Sequence, residues 1–177
     1  PLMEMMRFDG KLYNRAYSFK YPKAGERNSV VQLWVADLST GAKERIDTGP
    51  ETDQYIPRIG WTPDGRPWYY RLNRRQNTFE MIVCEPHGAQ RTVYEERARQ
   101  YVERVDDKTV TFIDKDRFLV RQESHTGFMH LYLYSLRRGI LGQVTRGDWE
   151  VTEVVGCDGK RVWYLSTETS PLRRNLY

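Results

Sequence analysis

The sequence predicts an all-β fold, a partial β-propeller of about three to four four-stranded antiparallel blades. The first observation is a short apolar strand pattern that closes in a turn with glycine. It occurs three times, in Leu33–Gly41, Asn73–Gly88 and Leu131–Gly139. The second observation is the spacing, because the closing glycines lie 47 and 51 residues apart. A strand-turn-strand unit that repeats about every 40 to 50 residues is typical of propeller blades.

The first half of the chain contains one complete predicted blade and part of another. Residues 1–15 show no clear periodicity, so we expect an irregular lead-in. Alternation and turn residues predict strands at Ala16–Lys20, Ser29–Leu38, Lys43–Asp47, Tyr55–Trp61, Pro67–Asn73, Thr78–Glu85 and Gln90–Tyr94. Pro57 is expected at a sheet edge or a bulge, because proline has no N–H to donate. The Glu- and Arg-rich segment Glu95–Arg104 has few apolar residues and predicts a loop or a single helical turn.

The second half repeats the pattern. Strands are predicted at Thr109–Asp114, Phe118–Glu123, His130–Leu136, Leu141–Thr145, Val151–Gly156 and Arg161–Thr167. A last strand, Asn175–Tyr177, is expected to have no partner within the chain. Because closed propellers usually have four to eight blades, the count favours an open arc cut from a larger ring. The exposed sheet edges of such an arc favour self-association.

Composition and charge exclude several classes of protein. The chain is 39% hydrophobic and 13% aromatic, enough for a core. Its formal charge is +4, but 28 basic residues are dispersed among 24 acidic ones, which argues against nucleic-acid binding. No apolar run is long enough to cross a membrane, and the first ten residues do not form a signal peptide. The initial Pro1 is typical of a piece of a longer chain.

The potential metal and disulfide ligands are few and scattered. Cys84 and Cys157 form no CxxC pattern, and we expect two free, buried thiols. His87, His125 and His130 are isolated, without the carboxylate or histidine spacing of a metal site. His130 begins a strand and is predicted to be a structural hydrogen-bonding residue. The sequence therefore predicts no metal and no cofactor.

Six short motifs in one order resemble those of a known family. They are Tyr21–Glu26 (YPKAGE), Tyr55–Ile59 (YIPRI), Leu72–Asn77 (LNRRQN), His130–Tyr134 (HLYLY), Gly147–Thr152 (GDWEVT) and Ser170–Tyr177 (SPLRRNLY). Together they resemble the N-terminal β-propeller of dipeptidyl peptidase IV, most closely its bacterial members, over about residues 16–177. This resemblance makes residues 1–177 one fragment of that propeller domain.

The resemblance implies a parent with an eight-bladed propeller followed by an α/β-hydrolase domain. Such a parent is a serine exopeptidase that removes N-terminal dipeptides with Pro or Ala in second place, or, in a close cousin, tripeptides ending in Pro. The propeller forms one wall of the cavity, screens substrates by size and supplies an acidic clamp for the free amine. A homodimer and a periplasmic, cell-envelope or secreted location are also implied.

The catalytic residues are expected outside this chain. A hydrolase nucleophile of this class occupies a G-x-S-x-G turn between a strand and a helix, and the sequence has no such motif. No Ser, His and Asp set has the expected context either. The 177-residue chain is therefore expected to be inactive alone.

Three residues are candidates for substrate contact. The resemblance implies an aromatic residue and an Arg near the substrate pocket, and alignment on Tyr101 and Val102 places Arg104 and Val105 there. Val105 departs from the aromatic residue, which argues against a stacking role. Glu95 and Glu96 share the Tyr-Glu-Glu wording of the family's clamp. They follow the YPKAGE segment instead of preceding it, so solvated loop charges are the favoured interpretation.

An alternative function stays open. A stand-alone propeller or β-sandwich that binds protein or glycan, without any enzymatic role, is compatible with the same strand pattern. A closed four-bladed ring in a stable monomer favours this alternative, whereas an open arc favours the peptidase fragment.

Overall fold

The regular secondary structure of the described residues is almost entirely short antiparallel strands. The computed structural model describes residues 2–103, 105–123 and 126–177. The strands are β1 (Leu2–Arg7), β2 (Arg15–Lys20), β3 (Leu33–Ala36), β4 (Lys43–Ile46), β5 (Gln54–Tyr55), β6 (Ile59–Trp61), β7 (Pro67–Asn73), β8 (Thr78–Cys84), β9 (Gln90–Arg97), β10 (Val110–Phe112), β11 (Arg117–Glu123), β12 (Met129–Ser135), β13 (Gly139–Gln143), β14 (Val151–Cys157), β15 (Val162–Ser166) and β16 (Asn175–Leu176). A single 3-10 turn, Pro86–Gly88, joins β8 to β9. None of the helical structure in the described residues is long and apolar enough to cross a membrane.

The strands form propeller blades, which confirms the predicted fold class. In the first blade, β5 and β6 both pair with β7, and β8 and β9 follow in order. The second blade is the meander β10-β11-β12-β13, and the third is β14-β15-β16. Apart from the β5–β7 pair, which passes over β6, strands that follow one another in the sequence pair within each blade.

The predictions for the first and last segments of the chain need correction. The predicted irregular lead-in over residues 1–15 is wrong for Leu2–Arg7, because β1 pairs with β2 along its whole length, from Leu2 opposite Lys20 to Arg7 opposite Arg15. The last strand does have a partner, since β16 pairs with β15. Tyr164 and Tyr177 extend that ladder with two backbone hydrogen bonds, of 3.0 and 3.1 Å.

Several strand boundaries also differ from the prediction. Of the predicted strand Ser29–Leu38, only Leu33–Ala36 pairs, with β4. The predicted strand Tyr55–Trp61 is split into β5 and β6 by Ile56–Arg58. Pro57 lies in this break, where its missing N–H leaves no ladder hydrogen bond unmade. Segment Glu95–Arg104 is not wholly a loop, because β9 continues to Arg97.

The main core joins the first and second blades. A chain of aromatic contacts runs across the boundary, with centroid distances of 4.9 Å for Tyr70–Phe79, 5.7 Å for Phe79–Tyr94, 5.2 Å for Tyr94–Tyr134 and 5.5 Å for Tyr134–Phe118. Tyr94 lies on β9 and Tyr134 on β12, so their contact links the two sheets directly. Edge and offset aromatic pairs contribute about 0.5–1.5 kcal/mol each beyond the area they bury.

His130 connects the second blade to the third, which confirms its predicted structural role. Its ring is 1% exposed. Nδ1 lies 3.0 Å from the Thr145 hydroxyl, and Nε2 lies 2.9 Å from the Gly147 carbonyl oxygen. The ring meets Trp149 edge-on at 5.0 Å, and Trp149 stacks on Tyr164 of β15 at 6.3 Å.

Both cysteines are free thiols, as predicted. Cys84 is buried at the end of β8, and burial raises the pKa of its thiol. Cys157 is partly exposed at the end of β14, so the expectation that both are buried holds only for Cys84.

Candidate functional site

A large cavity lies beside the segment that carries one predicted substrate contact. It has a volume of about 700 Å³, within the range of small-molecule and peptide sites. Its lining comes from the turn after β2, from the break between β5 and β6, and from the segment between β9 and β10. The lining residues include Asn28, Ser29, Val31, Tyr55, Ile56, Pro57, Leu72, Tyr101, Val102, Glu103 and Val105.

Tyr101 and Val102 are held against the first blade by a backbone hydrogen bond. The Val102 N–H donates to the Gln76 carbonyl oxygen at 2.7 Å. The Val102 side chain is 8% exposed and packs into the aromatic core, whereas Tyr101 is 62% exposed beside the cavity. The buried Val102 therefore anchors the exposed Tyr101 side chain beside the cavity. Arg104 lies outside the described residues.

The opposite wall is tied down by an arginine of the β7–β8 turn. Arg74 Nη2 donates to the Glu26 carbonyl oxygen at 2.9 Å, and its guanidinium lies 5.9 Å from the centre of the Tyr55 ring. Asn28 Nδ2 donates to the Gln54 carbonyl oxygen at 3.4 Å. These contacts hold the turn after β2 over the cavity.

Glu95 and Glu96 lie on β9 and not in a solvated loop, which corrects that part of the prediction. Successive strand residues face opposite sides of a sheet, so their carboxylates point apart. Glu95 forms an ion pair with Arg97 on the exposed side, and Glu96 accepts a hydrogen bond of 2.6 Å from the Tyr94 hydroxyl on the other. Burial raises the pKa of Glu96, and the nearby Glu123 carboxylate raises it further. This arrangement disfavours a joint grip on one ammonium, and the clamp interpretation stays an untested prediction.

A second cavity lies on the other side of Glu103. Its volume is about 290 Å³, and its lining includes Glu103, Arg121, Glu123, Met129, Glu150 and Thr152. Arg121 is 5% exposed. Its Nη1 donates to the Thr152 carbonyl oxygen, and its Nη2 lies 3.6 Å from Asp106 Oδ2. Glu103 is the lining residue that the two cavities share.

The sequence prediction missed the residues of the second cavity. No motif brings Glu123 and Glu150 together, because they belong to different blades. The available signal was Arg121 itself, a charged residue on the apolar strand Phe118-Leu119-Val120. A charge at such a position needs a partner or a function.

The buried Ser135 and His130 side chains are engaged in structural hydrogen bonds. The buried Ser135 hydroxyl donates to Asp116 Oδ2 at 2.8 Å and accepts from the backbone N–H groups of Arg137 and Arg138. His130 is committed to Thr145 and Gly147. Neither residue is placed as a nucleophile or a general base.

Comparison with known proteins gives the family. A family described as the dipeptidyl peptidase IV (DPP IV) N-terminal region matches residues 1–177. The chain belongs to this family. The dipeptidyl peptidase IV resemblance of the six motifs is thereby confirmed.

Relatives of the DPP IV N-terminal region align with all or most of this chain. An inactive dipeptidyl peptidase 10 of Rattus norvegicus is 30% identical over 193 residues, which cover 100% of this chain and 24% of that protein. A probable dipeptidyl peptidase 4 of Aspergillus flavus is 27% identical over 89% of this chain and 22% of its own length. The chain therefore spans about a quarter of the length of these relatives.

Solved structures agree with the fold. The crystal structure of Porphyromonas gingivalis dipeptidyl peptidase 4 superposes with a TM-score of 0.87 and 33% identity, covering 100% of this chain and 26% of that one. A putative dipeptidyl aminopeptidase IV from Bacteroides ovatus superposes with a TM-score of 0.74 at 23% identity, which supports the fold alone.

Proposed function

We propose that this chain is a non-catalytic propeller segment of a serine exopeptidase that removes N-terminal dipeptides with Pro or Ala in second place. The observation that carries the proposal is the match of residues 1–177 to the DPP IV N-terminal region. The large cavity beside Tyr101–Val105 supports a role for the segment in shaping the substrate cavity. The catalytic triad then lies in an α/β-hydrolase domain outside this chain.

We also propose that Arg104 contacts the peptide, which its place in the sequence between the lining residues Glu103 and Val105 supports. The apolar surface of Val102 and Leu72 forms the wall. The parent is a homodimer located in the periplasm or cell envelope. The bacterial origin of one structural match at 33% identity supports this location.

The test compares the 177-residue chain with a version extended to the ends of its gene. Each protein receives a Gly-Pro chromogenic amide and a serine-reactive fluorophosphonate probe. We expect only the long form to cleave the amide and to be labelled. A long form that is inert to both reagents contradicts the peptidase proposal, and cleavage by the short chain contradicts its non-catalytic role.

A second candidate is a binding module without enzymatic activity. One observation favours it, because a relative aligned over the whole chain is named inactive. The same assay separates the candidates, since a long form that folds and yet is neither labelled nor active favours a protein- or glycan-binding role.

A further inference from the structure

The cavity next to Glu103 has a buried arginine at its wall and carboxylates around it. The Arg121 side chain is 4% exposed, and its Nε–H has no hydrogen-bond partner within the part of the chain that the structure describes. An unmade hydrogen bond from a buried donor costs about 1–3 kcal/mol, and more when the group is charged. The free N–H is therefore suited to a ligand that brings an acceptor oxygen.

The charge around Arg121 excludes a simple anion as that ligand. Three lining residues, Glu103, Glu123 and Glu150, carry carboxylates, and Asp106 already lies 3.6 Å from the Arg121 guanidinium. The negative charge of Glu123 also acts on Glu96. The pKa of Glu96 is raised first by burial and then by the Glu123 carboxylate. Even without Glu103, the carboxylates of Glu123, Glu150 and Asp106 outnumber the single positive charge of Arg121, so the described lining is net negative and attracts a cation.

A metal ion does not satisfy these features. Among the described residues, no group of three or more His, Cys, Asp or Glu side chains is arranged to hold one. The Arg121 guanidinium at the wall also repels a bare cation. A suitable ligand combines a positive group for the carboxylates with a neutral acceptor for Arg121.

We propose that this cavity binds a peptide segment through a lysine or arginine side chain. The cationic group contacts Glu123 and Glu150, which are both exposed and therefore accessible, and a main-chain carbonyl oxygen of the same segment accepts from Arg121 Nε–H. A volume of about 290 Å³ suits one long side chain with its peptide unit. This inference rests on the proposed function. The peptide is a substrate of the parent enzyme, and it extends from the larger cavity past Glu103 into this one.

The test uses the full-length parent and matched peptides. Each peptide begins Gly-Pro and carries lysine at the third, fourth or fifth position, and its partner carries Nε-acetyl-lysine there. Acetylation removes the charge and keeps the length of the side chain. The variants are Glu123→Gln and Glu150→Gln, with Glu44→Gln on the exposed strand β4 as the matched control.

We expect the wild-type protein to prefer lysine at one of these positions by about three- to fivefold in kcat/KM, as for an exposed charge pair. The preference falls to about twofold or less in Glu123→Gln and Glu150→Gln and is unchanged in Glu44→Gln. Cleavage of the short Gly-Pro amide stays equal in all four proteins. Equal cleavage of lysine and acetyl-lysine peptides, or a preference that survives both substitutions, overturns the proposal.

A binding measurement separates this inference from the proposed function. The same peptide pairs, labelled with a fluorophore, are titrated with protein and followed by anisotropy. Tighter binding of the lysine peptide that is lost in Glu123→Gln supports the site even when the parent cleaves nothing, and equal binding of both peptides overturns it. Failure to cleave the Gly-Pro amide contradicts only the proposed peptidase activity.

Discussion

Replacing His130 with Ala is expected to destabilise the protein strongly, because this ring closes a buried hydrogen-bond chain between two blades. The Gly147 carbonyl can only accept, so Nε2 carries the proton and Nδ1 accepts from the Thr145 hydroxyl. The Thr145 oxygen in turn accepts from the Leu131 N–H at 2.9 Å. Each member of the chain therefore has a defined role.

The size of the effect follows from what the ring contacts. His130→Ala removes two hydrogen bonds worth about 1 kcal/mol each and an aromatic contact worth about 0.5–1.5 kcal/mol. Together with the Gly147 acceptor left unpaired, the expected loss is about 3–4 kcal/mol in the free energy of unfolding. That is a large part of the stability of an ordinary domain, about 5–15 kcal/mol.

The assay is urea unfolding followed by tryptophan fluorescence, since Trp149 touches the ring. With a urea slope of about 2 kcal/mol per molar, the midpoint moves down by about 1.5–2 M. His130→Gln keeps an amide donor for the Gly147 carbonyl, so we expect it to lose about half as much stability as His130→Ala. His87→Asn is the control, because His87 is exposed and its left-handed backbone, with φ of 64°, suits Asn. A His130→Ala variant within about 0.5 kcal/mol of that control refutes the reasoning.

Three further predictions use the same unfolding measurement. Gly60→Ala places a Cβ 2.6 Å from the Trp68 ring and is expected to cost about 1–3 kcal/mol. Gly142→Ala, with no atom within 4 Å of its Cβ, is the control, and equal midpoints contradict the packing argument. Backbone N–H groups of Arg117 and Asp116 lower the pKa of Asp114 to about 2, so its stabilisation is present above pH 3.8 and is lost as the pH falls through about 2. The midpoint difference between wild type and Asp114→Asn should therefore shrink between pH 4 and 2, and a constant difference counts against it. The raised pKa of Glu96 predicts the opposite pH dependence of stability. The buried charge destabilises the fold above the folded-state pKa of Glu96, and this penalty disappears below the ordinary value of 4.5. Glu96→Gln should gain stability over wild type at pH 7 and lose that advantage on acidification, and a variant less stable than wild type at pH 7 counts against it.

The two complete blades could be predicted from the sequence because their signals are local. The turn at Thr62–Gly65 is one example. Its Thr62 hydroxyl accepts from the Arg66 N–H at 2.9 Å, and Gly65 takes a φ of 85°. Both features follow from residue types within five positions. Both faces of the central strands β7 and β8 are buried, since Tyr70 and Phe79 belong to the main core and Tyr69 and Ile82 to a second core.

The missed elements depend on partners far along the chain. Strand β1 is almost wholly exposed and lacks alternation, so only its register with Arg15–Lys20 makes it a strand. β16 has two residues and exists through its pairing with β15. The second cavity is harder still, because Arg121 and Glu150 meet only when two blades pack together.

The placement of the candidate site explains how relatives with different activities share this region. The Tyr101–Val105 segment is fixed by Val102, which belongs to the same core as Tyr94 and Tyr134. Its exposed residues, such as Tyr101, contribute little to that core, so substitutions there change the cavity without a large cost in stability. The core pairs, in contrast, are coupled across two blades and tolerate few changes. A 30% identical relative that is named inactive can therefore keep the blades and differ at the cavity walls or in another domain. Family membership fixes the scaffold, and the function must be tested at Arg104, Glu123 and Glu150.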